Sequence, residues 1–272
     1  MTFLKKLFDF YLNASIHVAF AVFSFVKITG IYFELESNNA FSFFIFFATI
    51  TGYNFVKYFG IAKFHHRSLA DDLKIIQIFS LLSFLLMCYF GFQLSIKTLF
   101  LLVGFGLLTI LYAIPFLSGF QKNLRNVSYL KIIVVALVWA GVTVVVPIFD
   151  AHDFFDYQKV SLVFVQRFLL VCVLILPFDI RDIKYDVISL QTIPRKIGIQ
   201  NTKKLGFVLL LFALVIEFLI STQTISKNIF LGFSFAILFF LMRAKENQSK
   251  YYSSFWVELL PIAWWILLMI II

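Results

Sequence analysis

Apolar residues run in long stretches along this chain, and polar residues gather in the short joints between them. Nine stretches, about 12–33, 40–62, 74–94, 97–117, 127–149, 159–179, 204–222, 227–243 and 254–272, approach the roughly 20 residues that cross a bilayer as a helix. Lipid offers no partners to backbone N–H and C=O groups, so each stretch is expected to be helical. None alternates apolar and polar residues with period two, as the strands of a membrane barrel do. The pattern predicts an all-α polytopic membrane protein with nine transmembrane helices. The apolar runs continue to the last residue, so residues 1–272 are read as a single integral-membrane domain.

The polar joints set an orientation. With the N-terminus in the cytoplasm, seventeen Lys and Arg side chains fall in inner segments, and only Lys97, Lys159 and Lys227 in outer ones. This is the asymmetry of the positive-inside rule. The outer joints are acidic instead, with Glu34, Glu36, Asp150, Asp153 and Asp156. The expectation is a protein of a bacterial inner membrane. Its N-terminus and its two long joints, 57–74 and 179–204, lie on the cytoplasmic side.

Composition sharpens this picture. The chain is 62% hydrophobic and 14% charged, against about a quarter charged in an ordinary soluble domain. The net charge of +9 sits in joints beside apolar runs. That placement favours membrane lipid headgroups and phosphates as partners, not nucleic acid. Cys88 and Cys172 both lie inside apolar runs, which fits neither a disulfide framework nor a metal site.

The joint after the sixth stretch carries the candidate chemistry. In "LPFDIRDIKYDVISLQTIPRKIG", Asp179, Asp182 and Asp186 fall at i, i+3 and i+7, on one face of a continued helix. Neither Arg181 nor Lys184 stands three or four residues from any of them. The carboxylates therefore need bulk water, a cation from elsewhere in the fold, or a metal ion. A solvated helix end is the plain reading. A Mg2+ site is the functional one, because Mg2+ takes one or two carboxylates and bridges to substrate phosphates.

This stretch resembles the second motif of the UbiA superfamily of intramembrane prenyltransferases, closest to its menaquinone-type branch. That motif reads roughly Asn-x-x-Arg-Asp-x-x-x-Asp, then a loop with Thr and a Gly. Here Asp179, Arg181, Asp182, Asp186, Thr192 and Gly198 stand in that stretch. "LYAIPF", with Tyr112 and Pro115, is similar to the family's Tyr-x-x-Pro segment, and "LRNVSYLKIIVVALVWA", with Arg125 and Lys131, follows in the family's manner. The resemblance implies a UbiA-like helical bundle around a central cavity, in which Mg2+, held by aspartate-rich loops, binds an isoprenyl diphosphate. An allylic cation then forms and is attacked by a lipophilic acceptor. It implies Asp182, Asp186 and Tyr112 as catalytic residues and Asp179, Asp182 and Asp186 as metal ligands.

The family's first motif, Asn-Asp-x-x-Asp-x-x-x-Asp, is broken. Asn54 is in place, but the aspartate positions read Phe55, Tyr58 and Ala62. Basic residues stand nearby instead: Lys57, Lys63, His65, His66 and Arg67. Asn54, Lys57, Lys63, Arg67, Arg181 and Lys184 are thus the candidate diphosphate contacts, with side-chain cations replacing one Mg2+ in an altered transferase. The alternative is a catalytically silent relative that binds lipid or diphosphate. The paired histidines make a poor bidentate metal site on a helix.

Four charges fall inside apolar stretches: Lys27, Arg167, Glu217 and Glu258. Such charges face a cavity or a partner. Lys27 and Arg167 are expected at the cavity. Glu217 and Glu258 could relay protons in a small-molecule transporter, the second alternative. Few Gly or Pro residues break the spans and no inverted repeat is evident, which counts against transport.

Overall fold

The computed structural model describes residues 3–36, 38–58, 70–113, 130–151, 156–184 and 192–271. Its helices are α1 (Phe3–Asn13), α2 (Ile16–Phe33), α3 (Asn39–Tyr58), α4 (Ala70–Gly91), α5 (Ile96–Ala113), α6 (Leu130–Ala151), α7 (Tyr157–Asp182), α8 (Ile193–Ile197), α9 (Ile199–Ile220), α10 (Thr224–Arg243) and α11 (Tyr252–Ile271). No strand occurs among the described residues. Eight of these helices are long and apolar enough to cross a membrane. The remaining expected stretch forms α9, which carries Lys203, Lys204 and Glu217. The chain is an integral membrane protein.

The first apolar stretch is shorter than its sequence pattern. A separate helix, α1, precedes it, and the chain turns at Ser15, which holds a left-handed φ of 63°. Phe3, Leu4 and Leu7 of α1 are exposed.

Burial ranks the helices. α2, α6 and α7 are the most enclosed, and α4 and α5 the least. α2 packs on α3, α6 and α11, α6 on α7, α7 on α9, and α10 on both α9 and α11. The main core lies where these meet, around Phe25, Leu170, Leu176, Phe230, Leu241 and Trp264. A second cluster, with Val22, Phe41, Leu102 and Val146, joins α2 and α6 to α3 and α5. Two glycines permit close approaches. A Cβ on Gly141 would meet the Phe105 ring at 2.1 Å, and one on Gly206 would meet Leu241 at 2.5 Å and Leu176 at 2.8 Å.

The helices that carry the candidate residues are irregular. α6 contains a π-helical turn at Gly141–Val145 and α11 begins with one at Tyr252–Val257. Pro177 in α7 and Pro261 in α11 each remove a helical N–H. Such irregularities let a helix re-aim side chains near a site.

Candidate functional site

Side chains from six helices meet at the end of the bundle where α3 and α7 finish and α2 and α11 begin. Asn54 on α3 is buried, and its amide is fully engaged. Nδ2 donates to the Ala14 carbonyl at 3.1 Å and to Ser80 Oγ at 2.8 Å, while Oδ1 accepts from Ser15 Oγ at 2.8 Å. One turn on, Lys57 Nζ donates to the same Ser15 Oγ at 2.9 Å. The unusual backbone of Ser15 thus sets a hydroxyl between the amide and the lysine. Asn54 ties α2, α3 and α4 together, and its reach to substrate is correspondingly small.

The aspartates behave differently from one another. Asp179 is 1% exposed, and its Oδ1 accepts from Lys131 Nζ of α6 at 2.7 Å. The required cation does come from elsewhere in the fold. Asp182 pairs at 2.8 Å with Nε of its own neighbour Arg181. This corrects the expectation that neither aspartate has a cation from its own helix. At the helix end the long guanidinium side chain curls back along the chain, beyond the i±3 and i±4 rule. Arg181 Nη1 also donates to Ser254 Oγ at 3.1 Å, linking α7 to α11.

Tyr112 of α5 is buried and lies within electrostatic range of Lys131 and of Tyr53. Tyr53 accepts from Trp139 Nε1 at 2.9 Å. Glu258 of α11 lies within range of Lys57 and Arg181. Tyr53 of α3, Lys131 of α6 and Glu258 of α11 are half-buried, and Lys57 of α3 is exposed. Asp186, Lys63, Arg67, His65, His66, Arg125 and Pro115 lie outside the described residues. Lys184 is exposed just beyond α7. A cleft of about 880 Å3 opens beside α8, lined by Ile183, Arg195, Lys203 and Lys245 among others.

Sequence reading put Arg167 at the cavity, and the structure puts it in the packed core. It is 1% exposed, sits 4.2 Å over the Phe25 ring and donates from Nη1 to the Phe25 carbonyl at 2.8 Å. A carbonyl and two aromatic faces surround this cation where an open cavity was expected, and its Nε has no hydrogen-bond partner among the described residues. Lys27 lies over the Phe23 ring. The sequence pattern missed Lys131 and Ser15 as parts of the site. Lys131 was visible as a cation near the start of an apolar run, but only the fold shows which carboxylate it meets.

The fit to Mg2+ follows from this donor set. Among the described residues no three His, Cys, Asp or Glu side chains gather as a metal-binding group. Asp182 keeps one carboxylate oxygen clear of Arg181, and Mg2+ needs only one or two carboxylates when phosphate and water complete its shell. Lys57, Lys131 and Arg181 balance Asp179, Asp182 and Glu258. A diphosphate entering this balanced cluster brings excess negative charge, which a divalent cation offsets. The residues therefore fit Mg2+.

No family model and no curated protein matches the sequence. Solved structures do match the fold. A UbiA homologue from Archaeoglobus fulgidus bound to GPP and Mg2+ aligns with a TM-score of 0.60 at 12% identity, over 97% of this chain and 96% of that one. The same organism's UbiA homologue bound to DMAPP and Mg2+ aligns with 0.57 at 13% identity, over 100% of both chains. A digeranylgeranylglyceryl phosphate synthase aligns with 0.56 at 15% identity, over 97% and 96%. The chain has the fold of the UbiA-type membrane prenyltransferases.

Proposed function

We propose that this protein is an intramembrane transferase that moves a polyprenyl group from an isoprenyl diphosphate to a lipophilic acceptor. The observation that carries the reading is the polar cluster of Lys57, Lys131, Arg181 and Asp182 at one end of an otherwise apolar bundle. That bundle shares its fold with UbiA homologues bound to GPP, DMAPP and Mg2+. The polar head lies at the cluster, and the prenyl tail runs among apolar helices. Asp182 and Asp186 hold Mg2+, whose charge offsets that growing on the departing diphosphate. Lys57 and Arg181 contact the diphosphate, with Lys63, Arg67 and Lys184 as further contacts from the adjoining loops. Asp179 fixes Lys131 in place, and Tyr112 closes the cavity wall. The bias of Lys and Arg toward the joints at this end supports a cytoplasmic face in a bacterial inner membrane for it.

The test is release of diphosphate from isoprenyl diphosphates of several chain lengths, with and without Mg2+, by the purified protein in lipid. The expected result is Mg2+-dependent release that falls at least ~100-fold in Asp182→Asn. Absence of release with every chain length, together with absence of metal-dependent binding, overturns the reading.

One observation favours a second reading. Asn54, the surviving residue of the broken first motif, is spent entirely on holding helices together. A relative that binds a lipid diphosphate without turning it over keeps such a scaffold. It gives binding without release in the same assay.

A further inference from the structure

Glu258 differs from every other carboxylate placed inside the bundle. Asp179 accepts from Lys131, Asp182 from Arg181, and Glu217 from Tyr32, Gln166 and Ser221. Near the helix ends, Asp150 accepts from Asn38 and Thr98, and Asp156 caps α7. Glu258 accepts no hydrogen bond from any described residue, although it is partly buried just after the π-helical turn of α11. Its charge is felt by Lys57 and Tyr53 on α3, Arg181 on α7 and Tyr11 on α1. Its oxygens accept nothing from the described residues, and a half-buried carboxylate in that state is met by water or by a bound group.

We propose that Glu258 is the proton acceptor of the transfer reaction. This assignment rests on the prenyl-transfer reading above. When the allylic C–O bond breaks, its electron pair leaves with the diphosphate. A pair from the acceptor forms the new bond to the allylic carbon, and the acceptor must then lose a proton. The carboxylate of Glu258 takes that proton and becomes the neutral acid, which later returns it to water at the mouth of the cavity. The geometry couples the two halves of the reaction. Lys57 and Arg181, the cations that offset Glu258 in the empty site, are the ones a diphosphate draws to itself. Substrate binding then leaves the carboxylate without its counter-charges, on the cavity wall, as the group ready to accept a proton. The π-helical turn at Tyr252–Val257 and Pro261 bracket this position and make the helix irregular on both sides of it.

The test uses the full chain in lipid nanodiscs, with prenyl-labelled geranyl diphosphate and a total bacterial lipid extract as the acceptor pool. Wild type is expected to form labelled lipid. In Glu258→Gln, labelled product falls about 100-fold, while displacement of bound geranyl diphosphate by inorganic diphosphate changes less than about threefold. The label that does react is expected to appear as prenol. Glu258→Asp restores part of the product. The wild-type rate falls at low pH, and this limb is absent in Glu258→Gln. A Glu258→Gln rate within about threefold of wild type overturns the assignment. So does a loss of geranyl diphosphate binding in step with turnover, which marks Glu258 as a counter-ion only. Failure of wild type itself to form any product overturns the prenyl-transfer reading, and this assignment with it.

Discussion

The bundle holds two polar centres, one at each end, and they handle buried charge in opposite ways. At the far end Glu217 is 0% exposed and saturated: Tyr32 donates at 2.7 Å and Gln166 at 2.8 Å, and Ser221 also bonds it. Around it Asp150 links Asn38 and Thr98, and Lys159 donates to the Tyr32 carbonyl. At the Asp182 end the cations are accessible, Asp182 is only partly covered, and Glu258 has no hydrogen bond from the described residues. A carboxylate whose two oxygens are engaged by protein donors holds helices together. A network left open on the cavity side can exchange its partners for a substrate. This contrast makes Glu217 a pin among α2, α7 and α9, committed to protein donors and not open to the proton relay of a transporter.

The sharpest way to break the contrast is to delete the two glutamates. Glu217→Leu strands the Tyr32, Gln166 and Ser221 donors in the bundle interior. It is expected to cost about 3 kcal/mol or more, and to lower the thermal midpoint in detergent by several degrees. Glu258→Gln forfeits no protein hydrogen bond and is expected to cost less than about 1 kcal/mol. Equal losses of stability at the two positions would erase the distinction between pin and site.

A smaller effect is expected at Asp179, which stands between the two behaviours. It lies beside the open cluster yet is as buried as Glu217. Lys131→Met removes its lysine partner and is expected to cost about 2–3 kcal/mol, because a buried carboxylate keeps its desolvation penalty. Adding Asp179→Asn removes the charge and is expected to recover at least half of that loss. Differential scanning of the single and double variants measures this. The double variant also decides what Asp179 does. Retained Mg2+-dependent diphosphate release makes it the anchor of Lys131, and lost release alongside recovered stability makes it a metal ligand.

Much of the fold was legible because lipid leaves the backbone few choices. A long apolar run must be a helix, so each of the nine stretches falls on one. What the pattern did not carry was anything set by a neighbouring helix. The turn at Ser15 that splits α1 from α2 is sealed by Asn54 and Lys57, 39 and 42 residues away. The π-helical turn at Gly141 exists where Phe105 packs onto the backbone. At the site, spacing set Asp179, Asp182 and Asp186 on one face and left water, a cation from elsewhere in the fold or a metal ion as their partners. It could not say that Lys131, 48 residues away, is the cation that meets Asp179. Arg167 misled for the same reason: a charge in an apolar run signals a partner, and here the partners are a carbonyl and two aromatic rings.

The smallest expected effect separates both centres from the surface. Asp9 of α1 accepts from Lys250 Nζ at 2.7 Å and from the Tyr251 hydroxyl at 2.9 Å, fastening α1 to the start of α11 outside the membrane-spanning segments. The hydrogen bond from Lys250 holds the Asp9 carboxyl below its ordinary value. A carboxyl depressed in the folded state contributes stability above its unfolded value, and that contribution is lost as pH falls through the folded value. Lys250 is largely exposed, so solvent screens the pair and its worth is below about 1 kcal/mol. Thermal unfolding in detergent is therefore expected to show a shallow loss of stability below about pH 4 that is reduced in Asp9→Asn. High salt is expected to flatten it further, and the filled network around Glu217 is expected to be indifferent to salt. If Asp9→Asn instead lowers stability as much as Glu217→Leu, the strength of a charge contact here does not follow its burial, and the comparison between the two ends loses its basis.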